Sequence, residues 1–324
     1  MSEESLEHEL DRLRSRQSDL LTRAQLRGAG VTRAQLRWRL SRSWHLVLPE
    51  VVNIGRAELT ASRQLVAALL EAGDESVLTG HRACIWHGLR SARGNRPVTV
   101  LVPRRQASRS TGFLEVMATA RPVPAPMVRG ILRLAPPARA VVDAARSATS
   151  ADEATSLVIE AVQRRLVTLE ELDHEVEAGA RRGSQAVRSA VRLARAGAWS
   201  APEAGLLTLC STSPVLSRAW PNPSLEVAGR FLISPDVWFD DVGLALMVHS
   251  RAYHQRDADW EGTVERDGEL AEHGVVVLGF TPSSIGRRPA EVLQRIERVY
   301  TSLVASNRVR PGVRMSPRGF GLPA

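Results

Sequence analysis

The sequence predicts a multidomain α/β protein of three parts, and three observations lead to this expectation. The chain has 324 residues, 44% of them hydrophobic, which is enough for two or three packed cores. Residues 1–57 repeat a six-residue helix-start motif on both sides of a glycine-containing turn. The rest of the chain alternates helical periodicity with short apolar runs that are typical of strands.

Charge and composition argue against a membrane-spanning, secreted or disulfide-rich protein. The formal net charge is +8, and all 43 basic residues are arginine. Guanidinium groups bind phosphates and guanine edges in a bidentate manner, although GC-rich codon usage also favours arginine, so the placement of these residues is more informative than their number. No apolar run is long enough to cross a bilayer, and no secretory signal is expected. With only Cys84 and Cys210, we expect no disulfide framework and a cytoplasmic location.

The first segment, 1–57, contains the sequence TRAQLR twice. In each copy a Thr precedes a Gln by three residues, as in Thr22 with Gln25 and Thr32 with Gln35, and this spacing is the capping-box signature of a helix start. Gly28-Ala29-Gly30 supplies the turn between them. Together the motifs predict a helix-turn-helix, preceded by an amphipathic helix. That helix carries Leu6, Leu10 and Leu13.

Arginines cluster in this motif without acidic partners. No Asp or Glu lies between Leu20 and Pro49, so salt bridges along the helices do not explain the arginines. Leu36 and Leu40 should face the core, which leaves the polar side free to enter a major groove. We therefore expect double-stranded DNA as the partner; the alternative is a solvated arginine-rich face that binds a protein. The candidate DNA-binding residues are Arg23, Arg27, Thr32, Arg33, Gln35, Arg37, Arg39 and Arg42, with His45 as a further candidate.

Residues 43–54 read as two short strands around Pro49, which is the shape of a wing. Through "LLTRAQLRGAGVTRAQLRWRL" and "WHLVLPEVVNI", residues 15–57 resemble the winged helix-turn-helix of actinobacterial AbiEi-type antitoxins from type IV toxin–antitoxin systems. "SVLTGHRACIWHGL" and "LAPPARAVVDAAR" resemble the middle region of the same family. The resemblance implies DNA-binding transcription regulation and, in some members, a cognate toxin as protein partner.

The second segment, 58–183, is expected to be an AbiEi-like α/β middle domain. Predicted helices lie near Leu65–Leu70 and at 76–89, 137–147, 151–165 and 169–178, and predicted strands at 97–102, 113–118 and 131–134. The third segment, 184–306, predicts helices at 184–197, 202–209, 257–273 and 289–302, with strands at 225–227, 231–238, 244–250 and 275–280. Residues 307–324 are basic and lack acids, and we expect a disordered tail.

The third segment carries acidic residues in a suggestive order. Through "PNPSLEVAGRFLISPDVWFDDVGLALMVHSRAYH" and "ERDGELAEHGVVVLGFTPSSI", residues 202–296 resemble very-short-patch repair endonucleases, which have a restriction-endonuclease-like fold. The resemblance implies a divalent metal that activates water against a phosphodiester. Glu203 and Asp236 match the first two acids of that family, and His254 matches its downstream histidine. The acid pair on the next strand is replaced by Met247 and His249.

Two interpretations follow from this replacement. Met247 and His249 share one face of a strand, where the metal would be bound, and Mg²⁺ prefers oxygen ligands. We therefore favour a catalytically impaired domain without a cofactor, used for binding or dimerisation. The alternative is an endonuclease that uses Glu203, Asp236, His249 and His254 with Mg²⁺ or Mn²⁺. Overall, the sequence predicts a sequence-specific DNA-binding regulator, expected to dimerise because such motifs commonly read two half-sites.

Overall fold

The computed structural model describes residues 3–249, 268–306 and 311–317. The chain is mixed α/β and divides into two compact units. Unit 1 comprises Met1–Ala148 and Arg164–Ser184, and unit 2 comprises Thr149–Gln163 and Gln185–Ala324. Residues 149–163, assigned from the sequence to the middle segment, therefore group with unit 2, because their helix packs on two helices of that unit.

Unit 1 begins with three helices and a small antiparallel sheet of order β1-β3-β2. A core of buried apolar side chains, among them Leu21, Leu26 and Trp44, holds these elements together. Leu36 and Leu40 pack against this core, as their spacing predicts. The elements are α1 (Glu3–Gln17), β1 (Leu20–Thr22), α2 (Arg23–Gly28), α3 (Arg33–Leu40), β2 (His45–Leu48) and β3 (Val51–Asn53).

Both predicted capping boxes are present, and they fix where α2 and α3 begin. The backbone N–H of Gln25 donates to Thr22 Oγ1 at 3.0 Å, and that of Thr22 donates to Gln25 Oε1 at 2.8 Å. The same reciprocal pair joins Thr32 and Gln35, at 3.2 and 2.8 Å. Between the helices, Gly30 has a φ of 97°, a conformation that favours glycine. The two helices and the turn thus follow from local sequence.

The remainder of unit 1 is a six-stranded mixed sheet of order β6-β7-β5-β4-β9-β8 with helices packed against it. Central strands β4 and β5 are almost fully buried. The strands are β4 (Val77–Thr79), β5 (Val98–Pro103), β6 (Arg109–Thr111), β7 (Leu114–Thr119), β8 (Met127–Arg129) and β9 (Leu132–Leu134). The helices are α4 (Ala61–Ala72), α5 (Gly80–Trp86), α6 (Pro137–Arg146) and α8 (Leu169–Ala178).

Arg63 of α4 joins the small N-terminal sheet to the rest of unit 1. Its side chain is 7% exposed, and its guanidinium donates to the carbonyl of Ser18 at 2.8 Å and to that of Glu58 at 2.7 Å. It also donates to the carbonyl of Ala57 and to Asn53 Oδ1, the latter at 2.8 Å. A buried guanidinium is stable only when its donors are satisfied, so these contacts fix the chain around residue 57 onto α4.

The prediction of one helix over 76–89 is wrong in its first half. Residues 77–79 form β4, which pairs with β5 and β9 in the middle of the sheet, and only 80–86 are helical. Gly80 has a φ of 65° at this transition. Pairing with distant strands has overridden the local helical pattern, as tertiary context often does.

Unit 2 contains two sheets, one of order β10-β13-β14-β15 and one of order β12-β11-β16. Phe239, Leu246 and Ile296 lie in one apolar core, and Trp238 and Leu225 in another. The strands are β10 (Trp220–Pro221), β11 (Ser224–Val227), β12 (Arg230–Ile233), β13 (Val237–Phe239), β14 (Leu244–Val248), β15 (Val276–Phe280) and β16 (Arg314–Ser316). The helices are α7 (Ala151–Gln163), α9 (Gln185–Arg195), α10 (Ala201–Ser211), α11 (Pro282–Arg287) and α12 (Pro289–Ala305), and residues 268–272 are also helical.

Two predictions for unit 2 need correction. The single strand expected over 231–238 is two strands in different sheets, β12 and β13, and Pro235 lies between them, where it cannot donate to a ladder. The tail expected to be disordered contributes β16, which pairs antiparallel with β11 through Met315 opposite Leu225. Across the described residues, no helix combines the length and apolar character needed to cross a membrane.

Candidate functional site

The exposed side of α3 is the first candidate site, and we call it the α3 surface. It consists of Arg33, Ala34, Gln35, Arg37 and Trp38, all of which are exposed. Ala34, Gln35 and Trp38 point away from the two leucines that anchor the helix to the core, whereas Arg33 and Arg37 flank the leucine side and remain exposed. The α3 surface is therefore available to a ligand along the length of the helix.

Three of the predicted arginines are free to bind an anion. Arg27, Arg33 and Arg37 are exposed, and within the described part of the chain none of them has a side-chain hydrogen bond or ion pair. Arg33 and Arg37 are one turn apart on α3, so that their guanidinium groups lie on the same side of the helix. An exposed cluster of this kind, without acids, attracts negatively charged partners.

The other predicted arginines are held by neighbouring side chains. The guanidinium carbon of Arg39 lies 4.7 Å from the ring centroid of Trp44, and that of Arg42 lies 4.7 Å from the ring centroid of Trp38. Arg23 is partly buried and lies close enough to Glu71 for their charges to attract. Arg42 remains exposed, whereas Arg23 and Arg39 are less available to a ligand than the sequence suggested.

Thr32 and Gln35 use their side chains to cap the N-terminus of α3, which limits what they can offer to a ligand. Gln35 Oε1 accepts hydrogen bonds from both the backbone N–H and the Oγ1 hydroxyl of Thr32, at 2.8 and 3.0 Å. Reading adenine requires the amide oxygen and nitrogen of a Gln together. With its oxygen occupied, Gln35 offers only its amide nitrogen. His45, on β2, is exposed.

Trp38 is the functional candidate that the sequence reasoning missed. Trp38 is 58% exposed, more than any other aromatic residue in the described part of the chain. The available signal was its position: Trp38 lies one turn after Ala34 and away from the buried side of α3. The sequence analysis considered only the charged and polar residues of α3 and the two core leucines.

A second candidate site lies in unit 2, where Glu203 and Asp236 come together. Glu203 is in the first turn of α10, and its carboxylate accepts from the Ser200 hydroxyl at 2.8 Å and from the Trp199 N–H at 2.9 Å. The side chain of Asn222 donates to Glu203 at 3.0 Å, and the Asn222 N–H donates to the carbonyl of Asp236 at 3.2 Å. Asn222 thus connects the two carboxylate-bearing segments.

The environment of Asp236 is unfavourable for a charge. Burial, and then the nearby negative charge of Glu203, raise the pKa of Asp236 to about 7, against an opposing hydrogen bond from the Val248 N–H. An acid so placed takes up a proton near neutral pH unless a cation is bound beside it. The two acids predicted from the sequence therefore do meet in space.

The next strand offers no matching acids. Met247 packs against the apolar core around Trp238, and the ring of His249 lies against Gly279 of the adjacent strand β15. A Cβ atom at Gly279 would come within 2.8 Å of the His249 Cδ2 and Nε2 atoms, so glycine makes room for the ring. The fourth residue of the predicted set, His254, lies outside the described residues.

These donors do not fit a magnesium site. Mg²⁺ requires near-octahedral oxygen ligands, whereas this edge provides two carboxylates, a thioether in an apolar core and an imidazole. Both Glu203 oxygens also accept hydrogen bonds already. The set is closer to what Mn²⁺ or Zn²⁺ accepts, although no group of three or more ligands that could hold a metal is found among the described residues.

Comparison with known proteins gives no match. No family model fits the sequence, and no curated protein and no solved structure is significantly similar to it. The functional assignment of both sites depends on the geometry of their own residues.

Proposed function

We propose that this protein is a sequence-specific double-stranded DNA-binding protein that acts as a transcription regulator. The observation that carries this proposal is the set of three exposed arginines on and beside α3, none of which has a side-chain partner among the described residues. Arg33 and Arg37 are assigned to guanine edges in the major groove, because arginine bonds to O6 and N7 of guanine with both of its terminal nitrogens. Arg27 and Arg42 are assigned to phosphates.

The arrangement around α3 supports this assignment. The element order α1-β1-α2-α3-β2-β3, with a small antiparallel sheet, is the order expected of a helix-turn-helix followed by a short hairpin, and on this proposal α3 is its second helix. In DNA-binding proteins of the helix-turn-helix class, the second helix enters the major groove while the first crosses the backbone. Arg27 at the end of α2 suits the latter position.

Unit 2 is proposed to contribute binding or dimerisation rather than DNA cleavage. Its carboxylate pair lacks the oxygen ligands of a magnesium-dependent nuclease, as described above. Two copies would read two half-sites one helical turn apart. A cognate toxin, implied by the resemblance to AbiEi-type antitoxins, is a proposed protein partner, and co-purification with the product of an adjacent gene tests it.

A DNA-binding titration tests the main proposal. Duplexes selected from a random library by the purified protein should bind with an affinity that falls with salt, at a log–log slope of about −0.9 per phosphate contact. Arg37→Ala should relax base preference at one position and weaken the preferred site by about 1–3 kcal/mol. Arg129→Ala, which removes an exposed arginine from β8, is the matched control and should change neither quantity. Equal binding of all duplexes by the wild type contradicts sequence-specific recognition.

A metal-dependent endonuclease is the second candidate, favoured by the meeting of Glu203 and Asp236. Supercoiled plasmid incubated with the protein and Mg²⁺, Mn²⁺ or Zn²⁺ should remain intact under the main proposal. Nicking that depends on Mn²⁺ or Zn²⁺ and disappears in Asp236→Ala would support the second candidate. Nicking that persists in Asp236→Ala would indicate a contaminating nuclease.

A further inference from the structure

An apolar patch lies in the middle of the positively charged α3 surface. Trp38 is 58% exposed, and the exposed Ala34 precedes it by one helical turn on the same side of α3. Helical side chains lean toward the N-terminus, so the Trp38 indole is expected to lie on the side of the turn that contains Ala34. The guanidinium of Arg42, one turn later, lies 4.7 Å from the centre of that indole.

The charges around this patch exclude one common occupant. Exposed aromatic groups often mark protein interfaces, including contacts between two copies of one chain. A second copy of the α3 surface would bring Arg33 and Arg37 against the same arginines, and like charges placed together are unfavourable. The occupant must be strongly anionic and must also present a small apolar group to the indole.

The major groove of a duplex satisfies both requirements. Its phosphates provide the negative charge, and its base edges are polar except for the C5-methyl group of thymine. Alanine and aromatic side chains are among those that contact this methyl group. Ala34 carries nothing beyond Cβ, so α3 can approach the bases closely at the same turn.

We propose that Trp38 and Ala34 contact the C5-methyl group of a thymine in the DNA site, and that Trp38 thereby determines part of the sequence preference. This inference rests on the proposed function and on its assignment of Arg33 and Arg37. Arg42 is a positioning residue, since it stacks on the indole and limits its rotation while its charge remains near the phosphates. The protein then prefers sites that combine guanine with thymine.

Replacing single thymines by deoxyuridine tests the inference, because this removes only the methyl group. At one thymine of the selected duplex, wild-type affinity should fall about four-fold, the value expected for one buried methyl group. Trp38→Ala should discriminate between the thymine and the deoxyuridine duplexes less than the wild type does, because only Ala34 is left to contact the methyl group. Because Trp38 is largely exposed, this variant should fold, and Trp38→Phe should retain part of the discrimination.

The outcomes separate the inference from the proposed function. Equal wild-type affinity for thymine and deoxyuridine at every position overturns the inference while DNA binding stands, and so does an undiminished thymine preference in Trp38→Ala. Failure to bind any duplex in dilute salt overturns the proposed function itself. A duplex with 5-methylcytosine in place of that thymine presents the same methyl group; tighter binding to it than to thymine overturns the choice of thymine.

Discussion

The α3 surface of unit 1 and the carboxylate pair of unit 2 both concentrate charge of one sign, but they do so in opposite environments. Arg33 and Arg37 stand in solvent, where water screens their mutual repulsion. Glu203 and Asp236 are both partly buried, and the burial of Asp236 together with the negative charge of Glu203 raises the pKa of Asp236. The first cluster costs the fold little and is available to an anionic ligand, whereas the second affects the stability of its own unit.

The comparison teaches how the two sites depend on their residues. A solvated cluster acts through charge and reach, so each arginine can be lost without harm to the fold. A partly buried pair acts through the balance of burial, hydrogen bonding and protonation, and Met247 and His249 add no carboxylate oxygen to Glu203 and Asp236.

The largest expected effect comes from removing the free arginines together. A variant with Arg27→Ala, Arg33→Ala and Arg37→Ala should bind the selected duplex at least about 100-fold more weakly and, through the phosphate contact of Arg27, lose about one unit of salt slope. Its free energy of unfolding should change by less than about 0.5 kcal/mol, since these side chains have no partners in the described chain. DNA-binding titrations measure the affinity and the salt slope, and urea denaturation measures the free energy of unfolding. A large loss of stability would contradict the description of these arginines as solvated.

Arg63 contrasts with these exposed arginines, because its guanidinium is buried in the same unit and its loss should destabilise the fold. Arg63→Met should lower the free energy of unfolding by about 3–4 kcal/mol, since it leaves the carbonyls of Ser18, Ala57 and Glu58 without their donor. Arg56→Met, an exposed arginine in the adjacent loop, is the matched control and should be nearly neutral. If both variants unfold at the same urea concentration, Arg63 does not hold the N-terminal sheet to α4.

The features of these regions that the sequence predicted are those that depend on residues close together in the chain. The capping boxes at Thr22 and Thr32 fixed the starts of α2 and α3 because their hydrogen bonds span only three residues. Strand β1, by contrast, has three residues and exists because it pairs with β3, thirty residues later. Strand β16 likewise depends on β11, which no pattern near Met315 reveals.

The same distinction applies to the site residues: some of their properties follow from local sequence and others depend on the folded structure. Arg33 and Arg37 are exposed, as the sequence predicted. The occupation of Gln35 by its capping partner and the stacking of Arg39 on Trp44 depend on side-chain geometry that spacing does not determine. The meeting of Glu203 with Asp236 was expected from a family resemblance, not from any local pattern.

Asp236→Asn should show how much the negative charge of Asp236, beside Glu203, lowers the free energy of unfolding. Because the folded-state pKa of Asp236 is raised from 3.8 to about 7, its contribution to stability is complete below pH ~4 and is lost as the pH rises through about 7. Asparagine does not ionise, so the variant should be more stable than the wild type by about 2 kcal/mol at pH ~8 and not at pH ~4. Urea denaturation at both pH values measures this difference. Glu272→Gln removes an exposed carboxylate of unit 2 as the control, and a pH-dependent gain there would show a general charge effect instead.

The smallest expected effect is the difference in duplex affinity between a variant that loses the cap of α3 and a variant that loses the cap of α2. Thr32→Ala and Thr22→Ala each remove a side-chain acceptor from a helix start, so each should lower the free energy of unfolding by about 1 kcal/mol. If α3 carries the base contacts, Thr32→Ala should also weaken duplex binding several-fold, because the turn bearing Arg33 becomes less ordered. Thr22→Ala should weaken it less, since α2 contributes only a phosphate contact. Equal losses of affinity in the two variants would show that α3 has no special role in duplex binding.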